Sequence, residues 1–335
     1  MRKNLMANSG FPMSVHIQED LKAIPQALID SWYIKTEFEA DGKQLGFTWH
    51  HMVQAYGNEL KVSVESLFMD ATNDVWLNNK ILSSVDDKNG VASDCMHCFS
   101  SWGDFRGDMD QMTLNLEIGG DEIHMKFIPN GEVLYNGGTG LIHFGNTGSY
   151  QYSFPNMKME GTFIFQGHEY KITNANAWFD RQYAFAPTRT EGFTFAPGKS
   201  SWLWIGLSPL LNGRGAVSLW DVYGNTERYA FGTFLNPDGV MTNAAAEITY
   251  DDIWTSERSG HSYPNTIHIH IPAEDFDVKL TSLASGQDAE FVHEVKLLSG
   301  CQCLYHISGT YKGEKIDRSV DVELIGDVCG EIPKI

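Results

Sequence analysis

Beyond Trp32 the chain alternates apolar and polar residues at period two, in short runs. Leu60–Phe68, Met112–Ile118, Glu122–Ile128, Met157–Phe165 and Ile267–Ile271 all read this way. Successive side chains of a strand leave opposite faces, so each run presents one apolar and one polar face. Turn-forming pairs punctuate the runs: Asp41-Gly42, Asn89-Gly90, Gly119-Gly120, Asn130-Gly131, Asn212-Gly213, Asp238-Gly239 and Lys312-Gly313. Such pairs supply the positive φ angles of tight hairpins. Many short strands with frequent turns predict an all-β chain of antiparallel sandwiches or barrels. Helical periodicity is scarce. Its best stretch, Gln18–Ile29, is interrupted by Pro25 and predicts a short helix in an N-terminal arm, residues 1–28.

The 335 residues suffice for two domains of about 150 residues each. The stretch from Ala186-Pro187 to Ser200 reads as the linker, giving β domains at 29–190 and 191–335. No short sequence repeat joins them, so any likeness of the halves is structural. Apolar residues at 42% support a sizeable core and exclude global disorder. The 24 basic and 43 acidic residues leave a net charge of −19, which repels phosphate backbones and excludes nucleic acid as a favoured partner. No apolar run approaches the roughly 18 residues of a membrane span, and the N-terminus lacks the apolar segment of a secretory signal. Five cysteines, an odd number, then predict reduced thiols and a cytoplasmic location. Cys95-Met96-His97-Cys98 and Cys301-Gln302-Cys303 do not complete a zinc-ligand spacing, so no metal is predicted. Gly213-Arg214-Gly215 lacks the third glycine of a dinucleotide loop; a P-loop and a Gly-x-Ser-x-Gly elbow are absent.

Several segments together resemble one family. Asp30-Ser31-Trp32-Tyr33, with Glu37-Phe38-Glu39 and Asp41-Gly42, resembles its opening strand, and Gly46-Phe47-Thr48-Trp49-His50-His51 stands where the family often ends a strand in Phe-Phe-Arg. The densest match is Tyr150-Gln151-Tyr152-Ser153, Gly161-Thr162 and Ala177-Trp178-Phe179-Asp180-Arg181-Gln182-Tyr183. Trp202-Leu203-Trp204, Trp254-Thr255-Ser256, Tyr263-Pro264, Ile271-Pro272 and Val322-Glu323-Leu324-Ile325-Gly326 continue it in order. These residues resemble the tandem lipocalin-like proteins that include carotenoid 1,2-hydratase (hydroxyneurosporene synthase), the AttH proteins and kievitone hydratase. The lipocalin-like Diels–Alder cyclases of fungi are similar at greater distance. The resemblance implies two lipocalin-like β domains side by side, a pocket between or beneath them for an apolar ligand, and no cofactor.

The candidate chemistry is read residue by residue. Asp180, set between Trp178 and Gln182-Tyr183, is an acid candidate, because a desolvated carboxyl holds a proton near neutral pH and can donate it to a C=C bond. Asp180 with Arg181 is equally readable as a structural strut. His50 and His51 leave opposite faces: either one of them enters the pocket as a water-activating base, or one faces outward and the other is a satisfied core histidine. Trp49, Trp178, Gln182, Tyr183, Trp202, Trp204, His97 and Trp102 are candidates for lining the substrate site. His268 and His270 share a face, but the alternating isoleucines claim the core side and send them to solvent. Glu323 is a second acid candidate if turned inward; an outward, solvated carboxylate is the default.

These residues, read with the resemblance, predict a cofactor-independent enzyme that adds or eliminates water at a C=C bond of an apolar unsaturated molecule, whether isoprenoid, polyketide or flavonoid-like. A cofactor-free isomerase or cyclase is the neighbouring reading. A carrier that binds without turnover is the alternative of a different class.

Overall fold

The computed structural model describes residues 15–25, 27–56, 59–144, 147–185, 201–211, 213–223, 228–292 and 299–329. The expected linker, 186–200, lies outside the described residues. The first half contributes β1 (Ile29–Ala40), β2 (Lys43–Tyr56), β3 (Glu59–Asp70), β4 (Val75–Ser84), β5 (Gly90–Val91), β6 (Met96–Ser100), β7 (Gly103–Gly107), β8 (Met112–Ile118), β9 (Asp121–Pro129), β10 (Leu134–Tyr135), β11 (Leu141–Phe144), β12 (Thr147–Phe165) and β13 (His168–Phe185). The second half contributes β14 (Ser201–Leu207), β15 (Ala216–Tyr223), β16 (Arg228–Leu235), β17 (Met241–Ala245), β18 (Glu247–Thr255), β19 (Ser262–Ile271), β20 (Phe276–Ser282), β21 (Glu290–Phe291), β22 (Gly300–Tyr311) and β23 (Glu314–Ile325). The alternating runs of the sequence become β3, β8, β9, β12 and β19. Asp41-Gly42, Gly119-Gly120 and Lys312-Gly313 close hairpins with both residues at positive φ.

Each half forms one curled antiparallel sheet. The first runs β4-β3-β2-β1-β13-β12-β9-β8-β7-β6-β5, and the second runs β17-β16-β15-β14-β23-β22-β20-β19-β18. In both, the first strand pairs with the last: β1 with β13, and β14 with β23. One topology is therefore used twice without a repeated sequence. Curling needs local bends. At Gly161 in β12 (φ +149) a Cβ would lie 2.0 Å from the His124 carbonyl oxygen, so only glycine fits that bend.

Alternation distributes the apolar residues over three cores. Trp32, Phe47, Trp49, Phe105 and Phe179 fill the first curl. Leu203, Ile205, Leu219, Phe234 and Tyr305 fill the second. Tyr33, Trp178, Trp204 and Trp220 form a third cluster at the seam between the halves. Neighbours on one strand thus part company: Trp32 and Phe179 go into the first core, Tyr33 and Trp178 into the seam. The two sheets approach closely there. A Cβ on Gly206 would lie 2.8 Å from the Trp178 ring, so the indole rests directly on the β14 backbone. Leu67, Met69 and Trp76 of the first half join the second half's core, and Trp220 Nε1 donates to Asn136 Oδ1 at 3.1 Å.

The expected helix shrinks to a single turn, Ile17–Asp20. The reason is competition for its carbonyls. Arg181, fully buried, donates from Nε to the Asp20 carbonyl (2.5 Å), from Nη2 to Lys22 (2.9 Å) and from Nη1 to Ser31 (3.0 Å). Trp32 Nε1 takes the Leu21 carbonyl at 2.7 Å. Oxygens held by these side chains cannot continue a helical ladder, and Pro25 ends it besides. The guanidinium also pairs with Asp30 at 2.5 Å and lies 4.0 Å from the Trp32 ring. Arg181 is thereby the latch that ties the arm to the first curl. Among the described residues, no helix is long and apolar enough to cross a membrane.

Arg181→Met strands a buried Asp30 and frees four carbonyls, those of Asp20, Lys22, Ser31 and Gln182. It is expected to lower the unfolding free energy in urea titrations by about 3–5 kcal/mol, the range for breaking a buried ion pair. Trypsin should then cut after Lys22 faster than in the parent chain. A loss below about 1 kcal/mol would mean that the latch is dispensable.

Candidate active site

The seam cluster is built on register. On the first sheet, Tyr33 pairs across β1 with His50 of β2 on one side and Asp180 of β13 on the other. Ser31 pairs with Gln182, Asp180 with Ser153 and His50 with Glu65, so all of these side chains leave the face that meets the second half. On the second sheet, Trp204 pairs with Trp220 and with Glu323, and Glu323 pairs with Gln302. Tyr33 joins the two walls. Its ring stands edge-on to Trp204 at 5.5 Å and to His50 at 5.4 Å. Its hydroxyl donates to Asp321 Oδ2 at 3.2 Å and accepts from Gln302 Nε2 at 2.6 Å. The Trp178 and Trp204 rings lie 5.9 Å apart, and Trp204 and Trp220 6.2 Å.

Besides Glu65 and Glu37, three carboxyl groups face this seam. Asp180 is buried, and its Oδ1 accepts from Trp178 Nε1 at 2.7 Å and from the Ser153 hydroxyl. Burial pushes its pKa up to about 6, against the pull of these donors and of Lys35. Asp321, also buried, is raised by burial to about 6. Glu323 accepts from Trp202 Nε1 at 2.8 Å and is raised to about 7, by enclosure and by the charges of Asp321 and Asp180. His50 bonds through Nε2 to the Ser31 hydroxyl at 2.7 Å, and enclosure lowers its pKa, so the imidazole is neutral at pH 7. His50 and Glu323 are enclosed deeply enough for desolvation to dominate their titration, yet both keep accessible surface, as do Trp202, Gln182 and Glu65.

The family model for AttH-like proteins matches residues 11–300. The chain belongs to the AttH-like family. Over 166 residues it is 28% identical to the dehydratase asqC of Emericella nidulans, a match that spans 46% of this chain and 44% of that protein. Its fold is similar to that of an AttH protein from Nitrosomonas europaea (TM-score 0.78, 17% identity, 94% of this chain and 98% of the other). It is also similar to kievitone hydratase from Nectria haematococca (TM-score 0.74, 16% identity, 93% of each chain). The two-curl architecture expected from the resemblance is the observed AttH-like fold.

Within this AttH-like frame, the sequence-predicted residues divide by face. Asp180, His50, Trp178, Gln182, Trp202 and Trp204 meet at the seam. Arg181 does not: it leaves the opposite face of β13 and is consumed by the latch. His51 sits fully buried in the first core between Trp32 and Trp49, and burial lowers its pKa to about 3. Trp49 packs on Phe105 in that core, and Tyr183 donates its hydroxyl to Asp20 Oδ2 at 2.9 Å. These three side chains are directed inward by the same alternation that sends their neighbours to the seam. His97 is held by Asp104 at 3.2 Å on β6, and Trp102 packs against the rim of the first core. Sequence reasoning missed Asp321, Gln302 and Tyr33 and left Glu323 facing water by default. The available signal was Asp321 and Glu323 alternating with Val320, Val322 and Leu324, two acids on one face of a strand.

The raised pKa of Asp180 fixes a pH dependence. The folded chain keeps a proton that the unfolded chain releases above its ordinary value of 3.8, so this group costs stability at neutral pH and the cost fades as pH falls from about 6 to 4. Asp180→Asn retains an acceptor for Trp178 and Ser153 and removes the charge. It should gain about 1–3 kcal/mol in unfolding titrations at pH 7.5 and almost nothing at pH 4. A variant no more stable than its parent at pH 7.5 would show that the buried carboxylate is fully compensated.

Proposed function

We propose that the chain catalyses the addition or elimination of water at a C=C bond of an apolar unsaturated small molecule bound at the seam. The observation that carries this reading is the row His50–Tyr33–Asp180, which faces a wall of indole rings. Two strand spacings separate His50 from Asp180, about 10 Å between backbones, with the Tyr33 ring between them, so an acid and a base flank one aromatic platform on which a substrate would lie. The partial sequence match to a dehydratase and the fold likeness to a hydratase support the same class of chemistry.

In the hydration direction, protonated Asp180 delivers its proton to one alkene carbon, and the π pair forms the new C–H bond. Water attacks the adjacent carbon while neutral His50 accepts the proton that the water sheds. Ser31 holds the imidazole by its Nε2. Proton exchange through solvent then returns His50 and Asp180 to their starting states. Elimination is the reverse: the base takes the C–H proton and the acid protonates the departing hydroxyl. A carboxyl with a pKa of about 6 suits both directions near neutral pH.

The test is turnover of a panel of isoprenoid, polyketide and flavonoid-like alkenes in oxygen-18 water. Hydration places one heavy oxygen in the product; isomerisation or cyclisation gives a product of unchanged mass. Asp180→Asn should lose at least about 100-fold in kcat while still binding. Full activity in Asp180→Asn would overturn the assignment, and binding without turnover anywhere in the panel would favour a carrier.

A further inference from the structure

A curled sheet that does not close on itself has two free strand edges, and the two sheets of this chain end in β4, β5, β17 and β18. Three of these ends are protected. β5 and β17 are short, two and five residues. β18 carries Glu247, Asp251 and Asp252, and its backbone turns to positive φ at Asp252. Short strands, charges and kinks keep a free edge from pairing with another chain. β4 lacks all of these except one lysine. It runs ten residues, Val75–Ser84, and pairs with β3; among the described residues its outer edge meets no other strand. In a chain with 43 acidic residues this strand has none. Its one charge, Lys80, is answered at home by Glu65 of β3 at 2.9 Å. The second half touches only the start of β4, where Ser285 bonds to Asp74, while Leu77, Asn78 and Lys80 stand exposed.

We propose that this edge pairs two copies of the chain, β4 against β4 in antiparallel order, about a twofold axis at Asn79. The strand's own sequence selects the partner and the register. Residues directly opposite in an antiparallel pair share a face of the sheet, so a twofold axis normal to the sheet passes through a residue position and sets positions equally far from it against each other. With the axis at Asn79, Leu77 of one copy meets Ile81 of the other, and Asn78 meets Lys80. Apolar side chains then face apolar ones, and each lysine faces an amide. An axis at Asn78 sets Leu77 against Asn79, and an axis at Lys80 sets two lysines against each other and Asn79 against Ile81. Both are mismatched, and the second is repulsive. Self-pairing also suits the charge. Two copies of net charge −19 repel over most of their surface, and an edge without acids is where they meet at least cost. Once joined, each β4 has spent its free edge, so the assembly closes at two copies.

One strand a side is a small contact of the weak, transient class, so the expected dissociation constant is on the order of 10–100 µM. The test is sedimentation equilibrium of the full chain up to about 200 µM. The parent should show a monomer–dimer equilibrium that tightens as salt rises from about 0.05 to 0.5 M, because screening relieves the repulsion between acidic copies. Asn79→Glu and Asn79→Lys each set like charges opposite one another at the axis, and each should weaken the dimer at least about fivefold. An equimolar mixture of the two variants pairs glutamate with lysine and should recover at least the parent's affinity. If either variant melts well below the parent, Asn78→Glu, exposed and opposite Lys80 of the other copy, takes their place and should tighten the dimer. A chain that stays monomeric throughout overturns the proposal. So does a dimer that the folded Asn79 variants leave unweakened, one that their mixture does not restore, or one that Asn78→Glu does not tighten.

Discussion

A β-strand has two faces, and in this molecule both are needed at four strands. β1, β13, β14 and β23 lie at the centre of their sheets, each half pairing its first strand with its last. One face of these strands fills a curl; the other meets its counterpart in the opposite half. Where these strands pair with one another, at Asp30–Thr36, Trp178–Phe185, Ser201–Leu207 and Val320–Ile325, there is no solvent side to spare. Residues of those segments are committed to an interior or to the seam, and a shift of one position would exchange the two sets. Trp178, Asp180 and Gln182 would then enter the first core, and Phe179, Arg181 and Tyr183 the seam. The bidentate hold of Arg181 on the arm and the seat of Trp178 on Gly206 oppose that shift from opposite faces.

Much of the architecture was legible because period-two patterning and turn chemistry are local. The runs at Met112–Ile118 and Glu122–Ile128, joined by Gly119-Gly120, can only be a hairpin. The separation of His50 from His51 follows from the same rule. What alternation cannot say is what lies against the outward face. For His268 and His270 it is water, where Asp251 and Asp277 partner them. For Asp321 and Glu323 it is the other half of the chain. The two pairs look alike in sequence, each a polar i, i+2 pair between aliphatic residues, and only the packing of one sheet on the other distinguishes them. The helix fails for a related reason: its carbonyls are claimed by Trp32 and Arg181, and a local pattern carries no trace of either.

Burying three carboxyls at an interface costs stability, and the chain bears that cost without a matching set of cations. Lys35 is the one buried amine among the described seam residues, and it is shared with Glu37. The remaining compensation comes from neutral donors: indole N–H groups, the Ser153 hydroxyl and the Gln302 amide. Neutral donors moderate a carboxylate without fixing it in its ionised form, which leaves protons exchangeable near neutrality. A cation beside Asp180 would hold the carboxylate ionised and end that exchange. Arg181 stands one residue from Asp180 and is kept on the other face.

The two halves share a topology, and that fact bears on how such a seam can work. Had they been identical and related by a twofold axis, every contact across the seam would occur twice, and groups on the axis would confront their own copies. The two walls differ instead: His50, Tyr33 and Asp180 stand on one, Trp204, Trp220 and Glu323 on the other. Divergence of the two halves thus leaves the interface with one acid-and-base row rather than two mirrored copies of it.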